Sequence, residues 1–300
     1  MNTRAWARGI LGPALIVLAI AAPAATAETA TPLAAQDEIV GSVGQPITLD
    51  NEQIHTVVQV ERWYGGGYWL PKAGDAAVTI EIKVQAIAKT SYNPMYYSVR
   101  DASGKTYGRV ILGYRYESLG SSASMAAGTE ATGWLTFLVP ESKLNELTLV
   151  YHMHLGFGST LAVPLGAVPD SPTARIGQSV TVQGEQVHTV VRAQRWAGSG
   201  LWRARPGQVY VTWYVKVRAL QPTKIGGTYY SLRTAKGAWY HGYVSGDRKP
   251  KLPYNTSLAA GRTAQGWVTL MVPKTVVRSL TLVYHMHDNG ANVLVRLPIK

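Results

Sequence analysis

The chain has 300 residues, 29 Lys/Arg against 17 Asp/Glu, a formal net charge of +12 and no cysteine. The missing cysteine excludes disulfides, thiol nucleophiles, thiolate metal sites and a lipid-modified N-terminal cysteine, so the fold must be held by its apolar interior. With 46% hydrophobic residues the chain is long enough for two domains of ordinary size.

Residues 1–27 carry Arg4 and Arg8, then an apolar run, then Ala25-Thr26-Ala27. This is the pattern of a secretory signal peptide cleaved before Glu28, so a secreted, extracellular protein is expected. With no later apolar run of spanning length, the mature chain is not expected to be an integral membrane protein. Residues 28–38 are Ala/Thr-rich, lack periodicity and read as a flexible lead-in.

The rest of the chain is one unit written twice, at residues 39–166 and 174–300. A constant offset of 133 (285 − 152) relates His55 to His188, Trp63 to Trp196, Trp69 to Trp202 and Trp134 to Trp267. The stretch LTLVYHMH occurs whole in both, at 147–154 and 280–287. Between the units, residues 167–173 (AVPDSPT) have the Pro and Asp punctuation of a linker, short enough to limit relative motion.

Period-two alternation predicts the strands of each unit. Strands are expected at 47–49 and 53–63, with counterparts at 180–182 and 186–196. Next, Val78, Ile80, Ile82, Val84 and Ala86 share one face and Thr79, Glu81, Lys83 and Gln85 the other. The second copy places Val211, Trp213, Val215, Val217 and Ala219 opposite Thr212, Tyr214, Lys216 and Arg218. Residues 95–100 and 106–112 read as a hairpin about a turn at 101–105. A strand is predicted at 133–140, and then LTLVYHMH, with Leu147, Leu149, Tyr151 and Met153 inward and Thr148, Val150, His152 and His154 on the other face. Residues 160–164 close the unit. No long window keeps a helical period, so the fold class is all-β, with two tandem antiparallel β-sandwiches.

The segments AVTIEIKVQAIAK, YYSVRDASGKTYG and MAAGTEATGWLTFLVPESKLNELTLVY resemble the telokin-like domain-of-unknown-function family of exported bacterial proteins. The second unit matches as YVTWYVKVRAL, YYSLRTAKGAWYHG and LAAGRTAQGWVTLMVP, departing where Thr234 replaces Asp101. The resemblance implies an immunoglobulin-like fold and an extracellular or envelope location, and supplies no catalytic residues. Members are often lipid-anchored; without a cysteine, this chain would be retained at a cell surface by non-covalent binding alone.

Charge is divided unevenly. Residues 39–166 hold 9 Lys/Arg against 10 Asp/Glu, while residues 174–300 hold 18 against Glu185, Asp247 and Asp288 alone. Balances of −1 and +15 in two copies of one fold point to a partner of the second unit. The candidate polyanion-binding residues are Arg192, Arg203, Arg205, Lys216, Arg218, Arg248, Lys249 and Lys251, with Trp239, Tyr240 and Tyr243 interleaved. Such a surface would bind a wall polymer, anionic lipid head groups or released nucleic acid without base specificity, with affinity falling steeply in salt.

Two further candidates are repeated. The glycine-rich segments 62–69 and 195–202 would present Trp63, Trp69, Trp196 and Trp202 to sugar rings or nucleobases, or fold them back as plugs. His55, His152 and His154, repeated as His188, His285 and His287 with Asp288 beside them, would suit Cu²⁺ or Zn²⁺ if they converge. The rival expectation is a satisfied surface histidine cluster with no cofactor. Catalysis is not expected: three acids in the second unit hardly furnish a glycosidase pair, and no nucleophile elbow, H-E-x-x-H or phosphate loop occurs. A structural surface protein with no small ligand is the remaining expectation.

Overall fold

The computed structural model describes residues 38–66, 69–111, 115–156, 158–241, 248–287 and 289–299. The expected signal peptide, the lead-in up to residue 37, Tyr243, Asp247 and Asp288 lie outside them. Among the described residues the regular structure is β-strand with five short 3₁₀ turns, and no helix is long and apolar enough to cross a membrane.

The first sandwich has two main sheets. β1 (Glu38–Val40) and β2 (Pro46–Leu49) precede the long strands β3 (Gln53–Trp63) and β4 (Asp75–Ala86). β5 (Thr90–Tyr92), β6 (Tyr97–Arg100), β7 (Thr106–Gly108) and β8 (Ala123–Met125) are short. β9 (Glu130–Pro140), β10 (Thr148–His152) and β11 (Thr160–Pro164) complete it. One sheet has the order β2-β3-β4-β9 and the other β1-β11-β10-β6-β7, with β5 and β8 paired apart.

The second sandwich repeats this arrangement. β12 (Thr173–Ala174), β13 (Ser179–Val182) and β14 (Gln186–Trp196) lead to an added hairpin, β15 (Gly198–Ser199) and β16 (Trp202–Arg203). Next in the chain are β17 (Gln208–Ala219), β18 (Thr223–Ile225), β19 (Tyr230–Thr234) and β20 (Trp239–Tyr240). β21 (Thr256–Leu258), β22 (Thr263–Pro273), β23 (Leu280–His285) and β24 (Asn292–Arg296) end the chain. The sheets are β13-β14-β17-β22 and β12-β24-β23-β19-β20.

The predicted inward residues make the cores. Val78, Ile80, Ile82, Val84 and Ala86 are at most 1% exposed, and Val211 through Ala219 on the same alternation are fully buried. They pack on Leu149, Tyr151 and Met153 in one core and on Leu282, Tyr284 and Met286 in the other, each burial worth about 1.5–3 kcal/mol for a large aliphatic side chain. One departure from a wholly antiparallel plan is that β1 runs parallel to β11, and β12 to β24. Strands of three and two residues are too short to show alternation, and Thr173, read as linker, is already in β12.

A β-bulge decides which side chains face outward. The pairing of β3 with β4 shifts between Val57 and Gln59, and that of β14 with β17 shifts between Val190 and Arg192. The extra residues, Val58 and Val191, are each 43% exposed. Beyond the bulge the alternation is displaced by one, placing Gln59 beside Glu81 and Arg192 beside Tyr214.

The two sandwiches keep separate cores but share an interface. The segment after β3 docks on the outer face of β23 and β24, where Tyr64, Val283 and Leu294 are buried with Trp239 against them. Residues read as linker are fastened to β3: Arg62 donates its main-chain N–H to the Pro169 carbonyl at 2.8 Å, and Tyr64 its hydroxyl to Asp170 at 2.7 Å.

Candidate functional site

The outward face of the four-stranded sheet carries the difference between the two units. In the first, Gln59, Glu81 and Trp134 form one cross-strand row. Residues 117–119 run along β9, so Arg115, just before them, lies over the Trp134 ring with its guanidinium 3.4 Å from the ring centre. Its Nη1 donates to Glu61 and, at 3.4 Å, to Thr79 Oγ1. Arg115 is 3% exposed, and burial pushes its guanidinium pKa down and the Glu61 carboxyl up. Desolvation thus outweighs their mutual attraction, though each depends on the other for a partner. Gln59 donates to Glu81 at 2.9 Å and Lys83 pairs with Glu130 at 2.6 Å.

In the second unit the row becomes Arg192, Tyr214 and Trp267. Arg248 takes the place of Arg115, 3.6 Å from the Trp267 ring centre, and Arg192 approaches the same ring to 4.8 Å. The acids are replaced: Gln194 for Glu61, Tyr214 for Glu81, Thr263 for Glu130. Lys216 and Arg218 come after Tyr214 at alternate, outward positions of β17, and both are exposed. Among the described residues no carboxylate lies within ion-pairing distance of Arg192, Lys216, Arg218 or Arg248.

The other basic candidates are exposed, and of them Lys251 borders this row through its pairing beside Trp267. Lys249 and Lys251 lie on the segment that runs along β22, and Arg203 and Arg205 at the end of the sheet near Trp196. Tyr214, Gln194 and Trp267 were not expected as site residues. The offset from Glu61, Glu81 and Trp134 was the signal that could have found them.

The aromatic segments have opposite fates. Trp63 is 1% exposed, stacked on Trp69 at 5.7 Å, and donates Nε1–H to the Gly290 carbonyl of the second sandwich at 2.9 Å. It is an interface residue and presents no face to a ligand. Trp202 is 39% exposed and its neighbour Leu201 stands fully in solvent, whereas Trp196 is half-buried against Tyr210.

The histidines do not converge. His55 is buried between the sheets; its Nε2–H donates to Gln53 Oε1 at 2.8 Å and its Nδ1 accepts from the Tyr97 hydroxyl at 2.5 Å. His188 likewise bonds Tyr230 at 2.8 Å, and burial holds both imidazole pKa values down at about 3. His152 is exposed and bonds Thr160, whereas His154 and His287 pair with Glu52 and Glu185 at 3.2 and 2.8 Å. His285 is buried at the interface between the sandwiches. Among the described residues no group of three metal-capable side chains forms.

Residues 42–163, the first sandwich from just beyond β1, match a domain of unknown function (DUF4352). Among solved structures, the yjhA protein from Bacillus subtilis is 18% identical, the alignment covering 41% of this chain and 98% of that one with a TM-score of 0.33. The secreted protein MPT63 from Mycobacterium tuberculosis is 19% identical, with 43% and 98% covered and a TM-score of 0.34. A putative lipoprotein (ycdA) from Bacillus subtilis is 13% identical, with 39% and 38% covered and a TM-score of 0.33. No curated protein matches the chain. Each of these alignments covers 39–43% of the chain, about the length of one sandwich.

Proposed function

We propose that the protein is an exported, non-catalytic binding protein whose second sandwich holds an anionic envelope polymer against the outward face of β14, β17 and β22. One observation carries the reading: in the first unit Arg115 and Lys83 are paired with Glu61 and Glu130, and Glu81 lies between them bonded to Gln59, whereas the second unit keeps or adds cations while replacing all three acids. Cations that had only to keep a sheet soluble would not need to lose their partners together. A flat, exposed row of Arg and Lys suits an extended polymer better than a small molecule, and counterion release supplies the affinity. The leader-like residues 1–27 support the location.

The test is retention of the full chain on anionic cell-wall material over a salt series. Lys216→Gln and Arg218→Gln should each lower the salt slope by about one unit. Lys83→Gln, the counterpart in the first unit, should leave it unchanged. Equal behaviour of Lys83→Gln and Lys216→Gln, or retention that ignores salt, would remove the proposal.

A further inference from the structure

We infer that Arg192 and Arg248, on the Trp267 ring, form a receptor for a carboxylate group of the bound polymer; the inference rests on the anion-binding reading above and gives it a chemical class.

The first sandwich shows the same site filled. There a guanidinium lies on an indole, Arg115 on Trp134, and the group it grips is a carboxylate, that of Glu61. In the second sandwich the indole and guanidinium persist, Arg248 on Trp267, but Gln194 stands where the carboxylate was. Oriented with its oxygen towards the arginine, the Gln194 amide accepts from Nη2 at 2.6 Å and Nη1 at 2.8 Å. That satisfies donors but brings no charge.

A second guanidinium has been added at the same place. Arg192 replaces Gln59 and lies 4.8 Å from the Trp267 ring centre and 5.7 Å from that of Tyr214. Two like charges on one indole repel, and burial followed by the neighbouring Arg192 holds the Arg248 pKa down. An anion set between them would relieve this. The planar fork of arginine matches the two oxygens of a carboxylate, and a half-buried Arg248 loses less of that bond to water than an exposed one. A uronate presents the same group that Glu61 presents inside the first sandwich.

The experiment is calorimetric titration of the full chain at fixed salt with oligogalacturonate, dextran sulfate and polyphosphate. Gln194→Glu rebuilds the internal carboxylate of the first unit. It should weaken oligogalacturonate binding roughly tenfold, the effect of occupying a charge-assisted pair. Lys216→Gln removes the same unit of charge elsewhere on the face and should weaken all three probes about two- to threefold. Arg192→Gln should repeat the selective loss and serves if Gln194→Glu lowers the melting temperature. If Gln194→Glu and Arg192→Gln do no more than Lys216→Gln, the receptor is overturned and the general anion-binding reading stands. Binding of the sulfate or phosphate polymer without oligogalacturonate overturns the carboxylate class alone. If the unaltered chain binds none of the three, both readings fall.

Discussion

His285 of the second sandwich donates its Nδ1–H to the main-chain carbonyl of Gly65 in the first at 2.7 Å, and burial leaves its ring entirely without solvent. Its counterpart in the duplicated stretch, His152, lies on the surface and bonds its strand neighbour Thr160 at 3.1 Å. Asn292 completes the junction, accepting from the Tyr64 main-chain N–H at 2.6 Å and donating to Gly65 at 3.2 Å. One sequence motif thus serves as surface in one copy and as a docking face in the other.

Truncation of the interface tryptophan should be far more damaging than truncation of its duplicate. Trp63→Ala removes a buried ring and a 2.9 Å hydrogen bond, with an expected cost of about 3–5 kcal/mol. Trp196→Ala, at a half-exposed position, should cost less than half of that. Denaturant unfolding of the two variants checks this; equal losses would mean that the sandwiches do not depend on the junction.

Acid should destabilise the fold through its buried histidines. Burial lowers His55 and His188 from 6.5 to about 3 and His285 to about 4. Between roughly pH 6.5 and 4 the unfolded chain therefore binds protons that the folded chain refuses. Stability is complete above about pH 7 and falls on acidification, by up to about 1.4 kcal/mol per pH unit for each histidine. His188→Gln should flatten the dependence measured by unfolding at a series of pH values. An unchanged slope would contradict the assignment.

The ion pair of the first unit should be costly to break. Glu61→Gln takes from Arg115, 3% exposed beside Trp134, the carboxylate it is bonded to and leaves Glu81 and Glu117 as its neighbouring charges, and roughly 3 kcal/mol of stability should be lost. The natural Gln194 beside Arg248 is tolerated because that guanidinium is only half-buried. Comparison of Glu61→Gln with Glu61→Gln/Arg115→Met by thermal unfolding separates the unpaired charge from lost packing, and the double variant should recover part of the loss.

The turn after β6 offers a local test. Asp101 accepts from the main-chain N–H groups of Ser103 and Lys105 and from the hydroxyls of Ser103 and Tyr107. The Ser103 hydroxyl foremost holds its carboxyl down at about 2, so this contribution is present above about pH 4 and lost as pH falls towards 2. Thr234 fills the equivalent place with one such bond, from the Ala238 N–H at 3.0 Å. Asp101→Ala should lower the melting temperature more than Thr234→Ala, and the reverse order would show that the turn is held by its glycine and main-chain bonds.

Composition and spacing alone determined the duplication, the inward faces of the long strands and the side of the molecule on which charge accumulates. These depend on strand periodicity and counting, which need no knowledge of neighbours. Tertiary structure decided what each outward residue meets. The bulge at Val58 and Val191 shifts the alternation by one, and the placement of Arg115 and Arg248 on Trp134 and Trp267 comes from a segment nineteen residues away in sequence (134 − 115). The junction pairs residues more than two hundred positions apart, Gly65 with His285. Contacts of that range depend on sheet register and on how two finished sandwiches meet, and neither leaves a periodic trace in the chain.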